Sequence, residues 1–193
     1  MAYGASASDD PSHRLQPHLR PGEHLVWVGT PDLGVTFTAA DAYLVPFSIM
    51  WGGIAIFWEA GALTSGAPPF FLLWGIPFVG VGVYFIFGRF IYKRHRKRQT
   101  AYGLTLQRAI VAVGSTSLVD SPVKNVSTSM RKSRDGRHVS VTFGEGAYRD
   151  RRQGGYYANT GMEFFARGVT PVAFFDVADP ERLLSALDKI RTE

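Results

Sequence analysis

Hydrophobic and polar positions change character sharply along this chain. Between residues 20 and 40 one short apolar run, Leu25-Val26-Trp27-Val28, sits between Pro21-Gly22 and the Gly29 and Pro31 that close it, and reads as a β-strand. Two long uncharged runs follow, Ala42 to Trp58 and Phe70 to Gly88. At about 1.5 Å per residue each gives a helix of roughly 25 to 29 Å, close to the ~30 Å hydrocarbon core of a bilayer. Neither run carries the polar stripe of a helix packed in a soluble core. Pro46, Pro77 and the glycines at 52, 53, 75, 80 and 82 would weaken such helices in water. Both residue types are common in membrane helices, where small side chains let backbones approach. The pattern therefore predicts a transmembrane helical hairpin over residues 41-92, with the connector Glu59 to Pro69 breaking the helix between its arms.

Beyond residue 99 the runs shorten. Thr100 to Thr105 and Arg108 to Val113 read as strands joined tightly at Leu106-Gln107, Gly114-Ser115 turns the chain, and Thr116 to Asp120 follows until Ser121-Pro122 breaks it. Val126, Thr128 and Met130 alternate with polar neighbours, as do Val139, Val141 and Phe143, and Asp135-Gly136 between them is a hairpin signal. Gly144 to Gly161 reads as a polar loop; strand character returns at Met162 to Ala166, turns at Gly168 and resumes from Pro171 to Val177. A last helix has Asp179 as N-cap, Pro180 at its first position and Glu181 in its first turn, with Leu183, Leu184, Leu187 and Ile190 on one face. The fold class expected is α+β with a membrane part: the hairpin plus a small β-barrel or sandwich over 99-193, capped by a C-terminal amphipathic helix. The strand in segment 21-40 is expected to pack on that domain, the alternative being a loose interfacial segment held by Trp27. Residues 1-20 are small and polar, lack the apolar stretch of a cleavable signal peptide and are expected to be disordered.

Charge then orients the hairpin. The connector has no Lys or Arg, whereas Lys93, Arg94, Arg96, Lys97 and Arg98 follow the second run directly. Cations flanking a span stay on the cytoplasmic side, so these five are the topology determinants and both termini are expected to be cytoplasmic. Trp58 and Trp74 then lie toward the outer interface and Tyr43 and Tyr92 toward the inner one, with Arg89 snorkelling to the inner level. A chain of 193 residues, 46% hydrophobic and with formal charge +5, suffices for such a hairpin plus one small domain.

Chemistry-bearing residues are few. No cysteine is present, which excludes disulfides, thiol nucleophiles and Cys-ligated zinc or iron-sulfur centres. The histidines at 13, 18, 24, 95 and 138 lack metal-ligand spacing, and Gly144-Glu145-Gly146 has neither the glycine spacing nor the Lys of a phosphate loop. Glu59 and Asp176 are the isolated carboxylates nearest apolar surroundings; Glu59 reads as the outer end of a helix rather than an ion path. No enzyme activity and no cofactor is expected.

The segment Tyr102-Gly103-Leu104-Thr105-Leu106-Gln107-Arg108-Ala109-Ile110-Val111 resembles the strand-turn-strand opening of bacterial pleckstrin-homology (PH) domains, in which an aromatic, a Leu-Thr pair and an Arg recur at this spacing. Arg20-Pro21-Gly22-Glu23 before the first strand, the hairpin of spans, and Phe175-Asp176-Val177-Ala178-Asp179-Pro180-Glu181 leading into the last helix are similar to the two-span membrane members of that family. Leu106 departs from the pattern, where Asn is frequent, and the expectation is a turn of another type or a Leu106 exposed to a partner. The resemblance implies a PH-like barrel with a C-terminal helix on the cytoplasmic face of a bacterial inner membrane, and it implies no reaction.

Three basic groups are the candidate sites. Arg131, Lys132, Arg134 and Arg137 flank the predicted hairpin turn and could contact anionic headgroups, or simply keep a hairpin tip solvated. Arg151 and Arg152, with Arg149, Tyr148, Tyr156 and Tyr157, form a loop that could dock on a headgroup or partner, or be plain solvated loop. The block after the second span could attract anionic lipid at ~1 kcal/mol per cation, although topology alone explains it. The function expected is a non-enzymatic integral membrane protein holding a binding or scaffolding module at the inner leaflet, its partners being the bilayer, anionic headgroups, a membrane-proximal protein or a second copy, with no nucleic acid. The alternatives are a self-assembling structural component and, last, a small transporter or pore subunit, because Ser48 is the only polar side chain deep in either run.

Overall fold

The structure is a computed structural model that describes residues 10–115, 117–133, 136–144, 159–162 and 171–192. It is α+β, with two antiparallel sheets and two long apolar helices. The first sheet has the order β1 (Leu25–Gly29), β2 (Thr100–Thr105), β3 (Arg108–Val113), β4 (Ser117–Pro122), and the second β5 (Thr128–Lys132), β6 (Val139–Phe143), β7 (Ala173–Val177). Among the described residues the strands form two sheets and not a closed barrel, so of the two architectures expected the sandwich applies. β1 joins the later strands directly, pairing Val28 with Gly103 and Gly29 with Tyr102.

Phe174 is the centre of the core between the sheets. Tyr102 stacks on it at 4.8 Å, Trp27 at 5.6 Å, and Phe143 meets it edge-on at 5.1 Å. The last helix, α5 (Pro180–Thr192), buries Leu183, Leu187 and Ile190 completely in the same core. Its start is as the sequence indicates, with Arg182 N–H donating to the Asp179 carboxylate. The Tyr102 hydroxyl ties the sheets together, accepting from Phe175 N and donating to Phe175 O, and burial pushes its pKa up.

Several sequence expectations need correction. The N-terminal tail is not disordered throughout: Pro11–Leu15 is a helix (α1) capped by Asp10, followed by a 3₁₀ turn over Gln16–His18, while residues 1 to 9 lie outside the described set. Leu15 is fully buried against Ala101, Ile110 and Ala112, on the face of the first sheet that points away from the core. Strands covered on both faces lose apolar-polar alternation, which is why β2 is buried along its whole length and β3 is apolar from Ala109 to Val113. Ser121-Pro122 does not break β4; both residues pair with β3, and an edge strand tolerates Pro. Of the strand expected at Met162 to Ala166, only Met162 is described, outside any strand.

The apolar helices also differ from their expected bounds. α2 (Asp41–Thr64) runs past Glu59, so Glu59 is not the helix end, and only residues 65–68 separate it from the next helix. That next helix is continuous from Pro69 to Gln99 as α3 (Pro69–Val83), a π turn (Tyr84–Gly88) and α4 (Arg89–Gln99), carrying the apolar run straight into the cationic block. The arms pack antiparallel: a Cβ on Gly82 would come within 2.8 Å of the Gly52 Cα, and one on Gly75 would overlap the Glu59 carboxylate. Leu44 packs against Tyr84 and Phe85 near the start of α2, and most of the other apolar side chains point outward. Only 17% and 11% of the most apolar windows of the two helices is buried, and Phe57, Phe70 and Leu73 are among the many large residues left exposed.

Candidate functional site

The cations of α4 do two different jobs. Arg89, Lys93 and Lys97 recur at i, i+4 and i+8, which puts them on one helix face, and all three are buried. The π turn just before them inserts an extra residue per turn and so sets the phase at which this face meets the segment between β1 and α2. Arg89 is 0% exposed, which replaces the expected snorkelling position with an internal one. Its Nη1 donates to the Asp41 carboxylate and its Nε to Phe85 O at 2.9 Å, while Nη2 makes no hydrogen bond among the described residues. The guanidinium also lies 4.3 Å from the Phe90 ring centre. Asp41 accepts in addition from the Thr38 N–H and hydroxyl.

Lys93 and Lys97 extend the same stripe. Lys93 Nζ donates to Thr36 O at 2.7 Å; Lys97 Nζ donates to Asp32 O and Val35 O, both at 2.8 Å, and to the Asp176 carboxylate at 2.7 Å. These bonds clamp residues 32–36, in the segment between β1 and α2, onto the helix. Asp176 serves this clamp from an unusual backbone position. Its φ is +53° next to a register shift in the β6–β7 pairing, which turns the carboxylate toward Lys97 and Asn159, whose side-chain amide donates at 2.6 Å. Asp32 completes the junction, meeting His138 Nε2 at 2.8 Å. The Gly34 N–H, then His138, then the Lys97 charge hold the Asp32 carboxyl below its ordinary range against the opposing effect of burial.

The junction fixes where the basic hairpin points. β5 and β6 pair as a hairpin, with Ser133 N–H donating to His138 O, and His138 at its base is held by Asp32. The tip therefore lies at the end of the sandwich from which the apolar helices emerge. Arg131, Lys132 and Arg137 are exposed there, and Arg131 and Lys132, as successive strand residues, face opposite sides of the sheet. Arg94 and Arg98 are exposed on α4 at the same end, with Arg96 half-buried. Arg134 lies outside the described residues, as do Arg151, Arg152 and the Arg149, Tyr148, Tyr156 and Tyr157 of the loop reading.

At the other end of the sandwich, the sequence motifs converge on one cluster. Arg108 donates to both Glu23 carboxylate oxygens at 2.9 and 2.7 Å, to Asp120 at 2.8 Å and to His18 O at 2.9 Å. Thr105 donates to Glu23 at 2.8 Å, and its hydroxyl accepts the Gln107 and Arg108 N–H groups. That threonine supplies the turn, so no Asn is needed at 106, and Leu106 is 49% exposed. The Arg108 contacts, against the cost of burial, hold Glu23 down to about 2 from the usual 4.5, and Glu23 in turn raises Arg108. This cluster is a structural lock between the segment before β1 and the β2–β3 turn, not a site open to a ligand.

Comparison with protein-family models, with curated proteins and with solved structures finds no match to the chain. Among the described residues no group of His, Asp or Glu could hold a metal ion.

Proposed function

We propose that the protein is a two-pass bacterial inner-membrane protein that holds a PH-like module against the cytoplasmic leaflet, where it binds or scaffolds through anionic contact. The observation that carries this reading is the single helix from Pro69 to Gln99. Its first part presents outward-facing apolar side chains, and its last part is tied to the start of α2 by Arg89, to the segment after β1 by Lys93 and to β7 of the sheet domain by Lys97. A helix apolar on its outer surface needs a non-aqueous surrounding, and a hydrocarbon core of ~30 Å matches the hairpin arms. The cations at the junction then mark the cytoplasmic side. Two antiparallel sheets with a C-terminal helix in their core, and the motif residues Glu23, Thr105 and Arg108 gathered in one cluster, support the PH-like assignment.

On this reading the hairpin tip is the lipid-facing contact. Three exposed cations near an anionic surface contribute ~1 kcal/mol each. Tethering makes even that modest attraction effective, because the tip is always at high local concentration. In nanodiscs holding the full chain, amide exchange over β5 and β6 is expected to slow when zwitterionic lipid is replaced by a mixture rich in anionic lipid, and the combined Arg131→Ala, Lys132→Ala, Arg137→Ala variant is expected to lose that difference. Equal exchange rates in both lipids for the unmodified protein would remove the tip as a headgroup contact.

Self-assembly through the exposed apolar helices is the second reading, favoured by the uncovered surface of the hairpin. A transporter role ranks last, because the Ser48 hydroxyl is turned back onto Leu44 O of its own helix and opens no polar path.

A further inference from the structure

The seam between the two apolar helices opens on one side as a groove of about 280 Å³. Trp51, Ile54, Ala55 and Trp58, which share one face of α2 by their spacing, line it together with Trp74 and Phe78 of α3. Glu59 stands at its edge. The helix continues for five residues past Glu59, which places the carboxyl about 7.5 Å below the helix end. A Cβ on Gly75 would overlap this carboxylate and come within 2.8 Å of the Trp58 ring, so carboxylate and indole adjoin over the same glycine. The Glu59 Oε2 is buried and makes no hydrogen bond among the described residues. Nor can the hairpin supply a counter-charge. From residue 42 to residue 88 Glu59 is the only charged side chain, and Arg89 lies roughly 20 Å further along the helix from Gly75.

We propose that this groove binds a lipid-soluble organic cation, an ammonium with apolar substituents, its charge toward Glu59 and its body on the rings of Trp51, Trp58 and Trp74. A carboxylate in hydrocarbon is costly without a partner, and its field is so little screened there that it acts across a neighbouring ring. Indole faces also attract cations, more strongly than other aromatic side chains do. A neutral hydrocarbon would leave Glu59 uncompensated, and an inorganic cation would find no further oxygen ligands among the groove's side chains; an organic cation satisfies both carboxylate and rings. At about 30 Å³ per water-sized group the groove admits roughly ten non-hydrogen atoms. The site rests on the reading of α2 and α3 as membrane spans, and the hairpin tip plays no part in it.

The test uses the full chain in an uncharged detergent, with isotope-labelled benzyltrimethylammonium as the probe in equilibrium dialysis. Saturable binding of one equivalent is expected, with the neutral isostere neopentylbenzene and the anion phenylmethanesulfonate displacing it at least tenfold less well than unlabelled probe. Glu59→Gln keeps the shape and removes the charge. It is expected to weaken binding at least tenfold while leaving the thermal midpoint unchanged or raised, since a buried charge without a partner is lost. That combination separates a ligand contact from a packing role, in which the midpoint would fall. Trp58→Leu is expected to weaken binding about fivefold through the lost ring face. No saturable binding, equal displacement by neopentylbenzene, or unchanged binding in Glu59→Gln would overturn the proposal. Failure of the span reading would show differently, as a chain that is folded and soluble with no detergent present.

Discussion

Asp41→Ala is expected to cost about 3–5 kcal/mol, because it leaves the buried Arg89 guanidinium with no counter-charge among the described residues. Arg89 is fully buried and its Nη2 already has no partner among the described residues, so the substitution would leave only the Nε bond to Phe85 O. Arg89→Leu is expected to cost less, since the stranded Asp41 carboxylate keeps both Thr38 donors. The double variant Asp41→Ala, Arg89→Leu removes both charges and is expected to regain most of the loss, as buried pairs replaced by apolar groups do. Unfolding of the four proteins in one detergent, analysed as a double-mutant cycle, measures this directly. Additive single effects would show that the pair is not the link between the start of α2 and α4.

The second large effect lies at the other end of the domain. Arg108→Ala is expected to cost about 3–5 kcal/mol by leaving Glu23 buried and unpaired and by releasing His18 O and Asp120. It should also change the response to acid. A carboxyl whose folded pKa is depressed stabilises the fold above its unfolded pKa and loses that contribution as pH falls. For Glu23 the stabilisation is fully present above about 4.5 and disappears as pH falls toward about 2. The unmodified protein is therefore expected to lose stability over that interval, and Arg108→Ala to lose much less, with Asp32 retaining its own smaller dependence. Unfolding midpoints at pH 5 and pH 3 decide it; parallel losses in the two proteins would mean that Arg108 does not hold Glu23 ionised.

What could be read from the sequence follows from period and composition. The hairpin of β5 and β6 and the amphipathic face of α5 were legible because Val139, Val141 and Phe143, and Leu183, Leu187 and Ile190, each keep one strict spacing. The order of α1 was not, because nothing within residues 11–18 demands burial. The demand comes from Ala101, Ile110 and Ala112, the second apolar face of strands far along the chain, which Leu15 covers. The continuous apolar run Ala109 to Val113 was the available clue that this sheet is covered on both sides.

The α4 stripe was missed for a different reason. Lys and Arg at the end of an apolar run are explained fully by topology, and that explanation hid the i, i+4, i+8 spacing of Arg89, Lys93 and Lys97. Its acceptors are backbone carbonyls at Asp32, Val35 and Thr36 and the carboxylates Asp41 and Asp176, partners separated by up to 79 residues that no local pattern connects to them. By contrast Glu23, Thr105 and Arg108 were singled out by resemblance alone, and their shared hydrogen bonds give the physical reason why those residue types occur together.

The most direct test of the account is the placement of the two ends of the molecule. Since the chain has no cysteine, Ser65→Cys between the apolar helices and Lys124→Cys in the exposed turn after β4 each provide a single thiol. With a membrane-impermeant maleimide on intact cells, Ser65→Cys is expected to label and Lys124→Cys to label only after permeabilisation. Labelling of Lys124→Cys in intact cells would contradict the account, since the cationic junction and hairpin tip would then face away from the anionic cytoplasmic leaflet.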